Sequence, residues 1–220
     1  KGIIKLEKRI NELPSDPLPE QLNEIVNYYA HGEHQRGLEQ TKVLLQKFPK
    51  SSALLNIQGG GQASLGRIDA ALESYQQALR IDPNYTYAYY NLGNALKGAV
   101  LKKANPDLLN VINTVMSYKT LVRPIDISSS VISLLKLEPI IQKVLRMASV
   151  DEFGQSSMAV IVELSKLSPL LTFMSMCHLP DLELENVLKK LRLNLLMSVL
   201  DAAAPAELLN LQSALALQCY

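Results

Sequence analysis

Tryptophan is missing from this 220-residue chain, and aromatic residues of all kinds reach only 5% of it. A β-rich core draws heavily on aromatic and β-branched side chains, so the shortage argues against sheets. The Leu, Ala and Ile that take their place favour helices. Cysteine is almost absent as well: Cys177 and Cys219 are the 2 present. Two cannot build a disulfide framework or a cysteine metal cluster, and in apolar helical surroundings both read as buried, reduced thiols. Neither sign of charge dominates, with 22 basic against 21 acidic residues and a formal net charge of +1. No global field would draw the molecule to nucleic acid or an anionic membrane, so neither is expected as a partner. Long apolar runs are also lacking; none approaches the roughly 18–20 residues that span a bilayer. The opening stretch KGIIKLEKRINELP is broken by Glu7, Lys8 and Arg9, so it reads as an amphipathic helix and not as a signal peptide. The chain begins without Met and stops in an apolar helical pattern, which reads as a piece of a longer protein.

What is present is an interval. Gly32 and Gly66 lie 34 residues apart, as do Pro49 and Pro83, and each Gly is followed 17 residues later by its Pro. A fixed period of this length marks an array of helical hairpins, and such arrays bind other chains along a surface. Each Gly turns a hairpin and each Pro stops its second helix. The spacing predicts helices over 19–30, 34–47, 52–65, 68–81 and 87–97. Their apolar stripes include Leu22, Ile25 and Tyr29, then Leu38 and Leu44, then Ala71, Leu72, Tyr75 and Ala78. Gly59-Gly60-Gly61 interrupts the third helix. No strand precedes it and no Lys-Ser/Thr follows, so a phosphate-cradling loop is excluded in favour of tight packing. Three glycines should make this the least stable helix of the array.

The segment GRIDAALESYQQALRIDPNYTYAYYNLGNAL, with Gly66, Ala71, Tyr75, Ala78, Pro83, Tyr89, Leu92 and Gly93 in their places, resembles the tetratricopeptide repeat family. The first unit departs from that pattern, with Gly37, Thr41 and Leu44 where small, aromatic and small residues are usual. Gln58 also departs, standing where a Leu is expected; a core amide needs a partner. The resemblance implies an all-α fold in which the first helix of each hairpin lines a peptide-binding groove. Its polar and aromatic residues would then be Asn23, Asn56, Tyr87, Tyr90, Asn91 and Asn94. Asn can bond the backbone of an extended peptide, and Tyr supplies contact area at low entropic cost.

After Gly98 the period is lost. Residues 100–106 read as a linker, and helices are expected near 107–117, 126–136, 139–148, 152–166, 169–177, 182–200 and 205–219. The organisation is thus hairpins with an N-terminal helix over 1–98, then an irregular helical bundle over 99–220 that caps them. The phrases NALKG (94–98), NPDL (105–108), VRPIDI (122–127), ISLLKLEP (132–139), CHLPDLELE (177–185) and LQSALALQCY (211–220) resemble a helical segment of large bacterial tetratricopeptide proteins. Those proteins carry a C-terminal S-adenosylmethionine-dependent methyltransferase. That resemblance implies a bacterial-type, cytoplasmic protein and a catalytic domain lying past Tyr220, since no Gly-rich strand–loop–helix occurs in this chain.

Other chemistry is weakly supported. His31 and His34 flank a turn without further metal ligands. Cys177 and His178 are neighbours that a helix would point about 100° apart, unsuited to a nucleophile and its base. Glu183 and Glu185 beside Lys189, Lys190 and Arg192 read as a solvated face with an i,i+4 pair. The Lys97, Lys102, Lys103 cluster lacks the aromatics of a nucleic-acid site. No catalytic, cofactor-binding or metal residue is therefore assigned. The expected function is a non-catalytic, peptide-binding scaffold segment. Recruitment of a substrate for a larger methyltransferase and self-association are the rival readings.

Overall fold

The computed structural model describes residues 16–117, 122–150, 157–201 and 208–218. Among them are twelve α-helices, one 3-10 turn and no strand, so the fold is all-α as expected. The chain divides into two compact units, Lys1–Ala95 and Leu96–Tyr220. The opening helix expected over residues 1–14, and Cys219, lie outside the described residues.

The first unit contains α1 (Pro19–Ala30), α2 (His34–Lys47), α3 (Ser52–Ser64), α4 (Ile68–Ile81) and most of α5 (Thr86–Leu96). The two glycine turns, between α1 and α2 and between α3 and α4, are copies of each other. Gly32 and Gly66 have φ of +77° and +72°, the left-handed conformation that only glycine adopts without strain. At each turn the next amide reaches back into the helix just ended, Glu33 N–H to the Tyr28 carbonyl at 2.8 Å and Arg67 N–H to that of Gln62 at 2.9 Å. Ser51 caps α3 by accepting from the Leu54 amide at 3.2 Å, and its own hydroxyl donates to the Asp16 carboxylate.

Ile25, Leu44 and Leu54 form a core joined by Leu22, Leu45, Phe48 and Ile57. The glycines decide how closely the helices approach. A Cβ on Gly59 would stand 2.5 Å from the Tyr75 ring, and one on Gly61 would strike Tyr29. Both faces of the triglycine are thus ring beds. In the irregular first hairpin the aromatic comes from α1 instead of α2: Tyr29 lies across Gly37 and Gly61, with its hydroxyl 3.4 Å from Thr41 Oγ1. Gln58 also has its partner, since the buried Ser74 hydroxyl sits 3.2 Å from Gln58 Oε1 and 2.7 Å from Gln62 Oε1.

The second unit continues with α6 (Pro106–Ser117), a 3-10 turn (Pro124–Ile127), α7 (Ser128–Leu135), α8 (Pro139–Ser149) and α9 (Ser157–Leu164). It ends with α10 (Ser168–Met176), α11 (Leu182–Asp201) and α12 (Leu209–Leu217). Asn105 and Asp181 cap α6 and α11 by accepting from the Leu108 and Leu184 amides at 2.9 and 3.0 Å. The helix expected over 126–136 begins later, at Ser128. Proline fixes the backbone at 124, and the Arg123 guanidinium holds the Asp126 carboxylate in a fork at 2.8 and 3.1 Å. The start expected at Pro205 lies outside the described residues. Lys136 joins the end of α7 to the start of α11 through Asp181 and Glu183, both at 2.8 Å. No single helix among the described residues is long and apolar enough to cross a membrane.

The stretch read as a linker is pinned at its start. Ser130, fully buried, donates its hydroxyl to the Leu96 carbonyl and lies 2.7 Å from that of Ala99. The Leu101 amide donates to Ser133 Oγ at 2.9 Å. Ser130→Ala would take this partner from the buried turn, leaving the Leu96 carbonyl with the Ala99 amide at 3.2 Å and the Ala99 carbonyl without the Ser130 hydroxyl, and the expected loss is about 1–3 kcal/mol. Urea unfolding monitored by far-UV circular dichroism measures it; an unchanged midpoint would show that these carbonyls are satisfied without Ser130.

Candidate functional site

The candidate site lies on α3 and α5. Asn91 is half-buried on α5 and donates its Nδ2 to Asn56 Oδ1 on α3 at 3.0 Å. Asn56 is itself only 9% exposed, so its amide needs partners. It gains a second in the Tyr85 hydroxyl, to which it is also hydrogen-bonded. The Tyr85 ring meets Tyr87 edge-on, with centroids 6.1 Å apart. Asn56 therefore sits at the centre of a relay that orients one amide and one phenol.

Outside that relay the contact surface is aromatic. Tyr87 is 70% exposed and Tyr90 is 40% exposed. Asn94 is half-buried on α5 and Asn23 is exposed on α1. The structure thus brings Asn56 and Asn91 together, with Tyr87 beside them through Tyr85. No hydrogen bond among the described residues ties Asn23 or Asn94 to that cluster.

Sequence reasoning missed Tyr85 and Asp16. Burial raises the Tyr85 hydroxyl above the ordinary tyrosine value; its bond to Asn56 opposes this, while Asp16, Tyr87 and Asp82 push it further up. The available signal was Asp82-Pro83-Asn84-Tyr85, in which Asp82 Oδ1 accepts from the Asn84 amide at 3.0 Å and turns the chain into α5.

The remaining sequence candidates are otherwise engaged. His31 Nδ1 lies 2.8 Å from the Asn27 carbonyl, while the His34 ring stacks on Tyr29 at 6.1 Å. Among the described residues no three His, Cys, Asp or Glu side chains converge as metal ligands would. Burial pushes the Cys177 thiol up to about 11, leaving almost no thiolate at neutral pH, and its sulfur lies 3.7 Å from the Phe173 carbonyl. Glu185 and Lys189 form the anticipated surface pair at 2.7 Å.

No curated protein matches the chain significantly. Residues 63–98 match the family model described as TPR repeat, a segment that holds the end of α3, all of α4 and all of α5. The turn glycines, the ring beds and this match agree: the chain carries a tetratricopeptide repeat within a TPR-type helical fold, the kind of repeat that serves protein–protein interaction.

Proposed function

We propose that the first unit binds an extended segment of a partner protein along the face of α3 and α5, as a non-catalytic adaptor. The observation that carries this reading is the Asn56–Asn91–Tyr85 relay. A buried asparagine placed at the centre of a helical array adds little stability for its cost, but it fixes a half-open amide beside two exposed tyrosines. Asn91 keeps one N–H and its Oδ1 for a ligand backbone. Tyr87 and Tyr90 offer rigid contact area with few rotors to freeze. Asn94 extends the row on α5, and Asn23 is the outlying contact on α1. Asn56 acts indirectly, through Asn91 and Tyr85.

The test is a peptide-array screen with the full chain and with the Asn91→Ala, Tyr90→Ala double variant. Central interface positions of these types cost about 1–3 kcal/mol each when truncated, so the double variant is expected to lose at least tenfold in affinity. Binding that survives the double substitution unchanged would place the interaction elsewhere. The methyltransferase-associated reading rests on the sequence phrases of the second half alone. A Gly-rich strand–loop–helix encoded after Tyr220 would support it, and its absence there would remove it.

A further inference from the structure

In the second unit, α11 sets Glu185, Leu188, Lys189 and Arg192 along the wall of a cavity of about 120 Å³. Their spacing in steps of three and four residues puts them on one helix face. His178, Leu179 and Gln218 supply the rest of the wall. Gln218, just past α12, fixes its shape. Its Nε2 donates to the Met174 carbonyl and, at 2.8 Å, to that of Cys177, while its Oε1 accepts from the Leu179 amide at 3.1 Å. One side-chain amide thus ties the end of α10 and the turn into α11 to the end of α12. A wall held in this way needs little rearrangement to take a ligand.

The charges of the wall do not balance. Lys189 is paired with Glu185 at 2.7 Å, and this ammonium holds the Glu185 carboxyl below its ordinary value. Those two charges cancel. Arg192 has no such counterpart. Its Nη2 donates to the Leu215 carbonyl near the end of α12, a capping role that uses one of the five N–H donors of a guanidinium. Its Nε is buried without a hydrogen-bond partner, and the residue forms no ion pair among the described residues. Buried donors are nearly always paired, so a guanidinium served this sparingly calls for an anion. Counted with His178 neutral, the wall carries one uncompensated positive charge. Leu179 and Leu188 beside it are buried and apolar. The space is several times the roughly 10–15 Å³ that one water needs, which suits a molecule of a few heavy atoms.

We infer that this cavity binds a small organic monocarboxylate, its carboxylate on Arg192 and its short apolar body against Leu179 and Leu188. A guanidinium fork matches a planar carboxylate. One uncompensated cation balances one carboxylate. A phosphate dianion would bring a second charge that Lys189, already held by Glu185, does not answer. The site lies within the second unit and stands apart from the peptide face proposed for the first.

The test titrates the full chain with butyrate, with butyramide as its uncharged isostere, and with inorganic phosphate. Side-chain NMR reads the Arg192 Nε–H and the methyls of Leu179 and Leu188. Butyrate is expected to shift all three with one saturating curve, and butyramide to bind at least tenfold more weakly, as loss of a charged hydrogen-bond partner implies. Phosphate should bind no more tightly than butyrate. Arg192→Gln should weaken butyrate at least tenfold. Glu185→Gln removes a like charge and releases Lys189, so it should tighten butyrate about threefold. That rise in affinity is one a merely structural role for these residues would not produce. Arg192→Gln also removes the bond to the Leu215 carbonyl; should that variant fail to fold, butyramide and Glu185→Gln still decide. Equal binding of butyrate and butyramide, full binding by Arg192→Gln, or no tightening in Glu185→Gln would each overturn the assignment. So would phosphate binding more tightly than butyrate, or the absence of any saturable shift at these three residues.

Discussion

Tyr75→Ala is expected to lower the stability of the repeat unit by about 3–5 kcal/mol, the range for a large aromatic removed from a packed core. Tyr75 is 2% exposed, and its ring occupies the hollow that Gly59 leaves on α3. The three glycines are expected to respond differently to alanine. A methyl on Gly59 would sit 2.5–2.8 Å from three Tyr75 ring atoms. The ring is buried and has little room to turn away. Overpacking of this kind costs about 1–3 kcal/mol, more than alanine's helix preference of about 1 kcal/mol returns. Gly60→Ala meets nothing nearer than the Tyr75 hydroxyl at 4.0 Å, so it should stabilise by nearly that full preference. Gly61→Ala collides with Tyr29, a half-buried ring less enclosed than Tyr75, and should fall between them. Denaturant melts of the three variants would expose the order. If Gly59→Ala and Gly60→Ala shift the midpoint alike, the ring-bed account is wrong. In the double variant Gly59→Ala, Tyr75→Ala, the new methyl enters space the ring has left, so the two losses should add to less than their sum.

The first unit was legible because its signals are local. A glycine needing positive φ at 32 and 66, with a proline closing each hairpin, sets the ends of four helices to within a residue. The helix over 68–81 came out with the bounds the spacing predicts, and the one over 87–97 runs from Thr86 to Leu96. What could not be read depends on residues far apart in sequence. Tyr29 looked like one more stripe residue of α1. That it fills the place of the missing aromatic at Thr41 needed Gly37 and Gly61 to be seen under one ring. The site divided in the same way. The chemistry of Asn56, Tyr87, Tyr90, Asn91 and Asn94 was visible, but the Asn56–Asn91 bond links positions 35 apart in sequence, and the turn before Tyr85 does not announce its distant partner. In the second unit, Ser130 sits in the plain polar run Ser128-Ser129-Ser130. Its bonds back to residues 96 and 99 hold the chain just before the expected linker, and the Leu101 amide, inside it, donates to Ser133.

Above pH 10 the repeat unit is expected to weaken, and Tyr75 supplies a large share of the effect. Burial pushes its hydroxyl up to about 12, whereas an unfolded tyrosine titrates near 10. Below about pH 10 both states keep the proton, so the group leaves stability unchanged with pH. From there to about 12 the unfolded chain releases a proton that the folded chain retains, and each further step favours unfolding. The loss from this one residue is about 2–3 kcal/mol, being two pH units at 1.36 kcal/mol each. Tyr29 and Tyr85 are raised by burial in the same direction, so the unit as a whole should soften steeply. Tyr75→Phe isolates the contribution. It keeps the ring in its bed at Gly59 and should match the parent near neutral pH. Between pH 10 and 12 it should lose less stability than the parent, by about the same 2–3 kcal/mol. Urea unfolding at pH 7, 10 and 12 would show the two proteins diverging only at the alkaline end. Parallel losses would mean that the Tyr75 hydroxyl reaches water in the folded state.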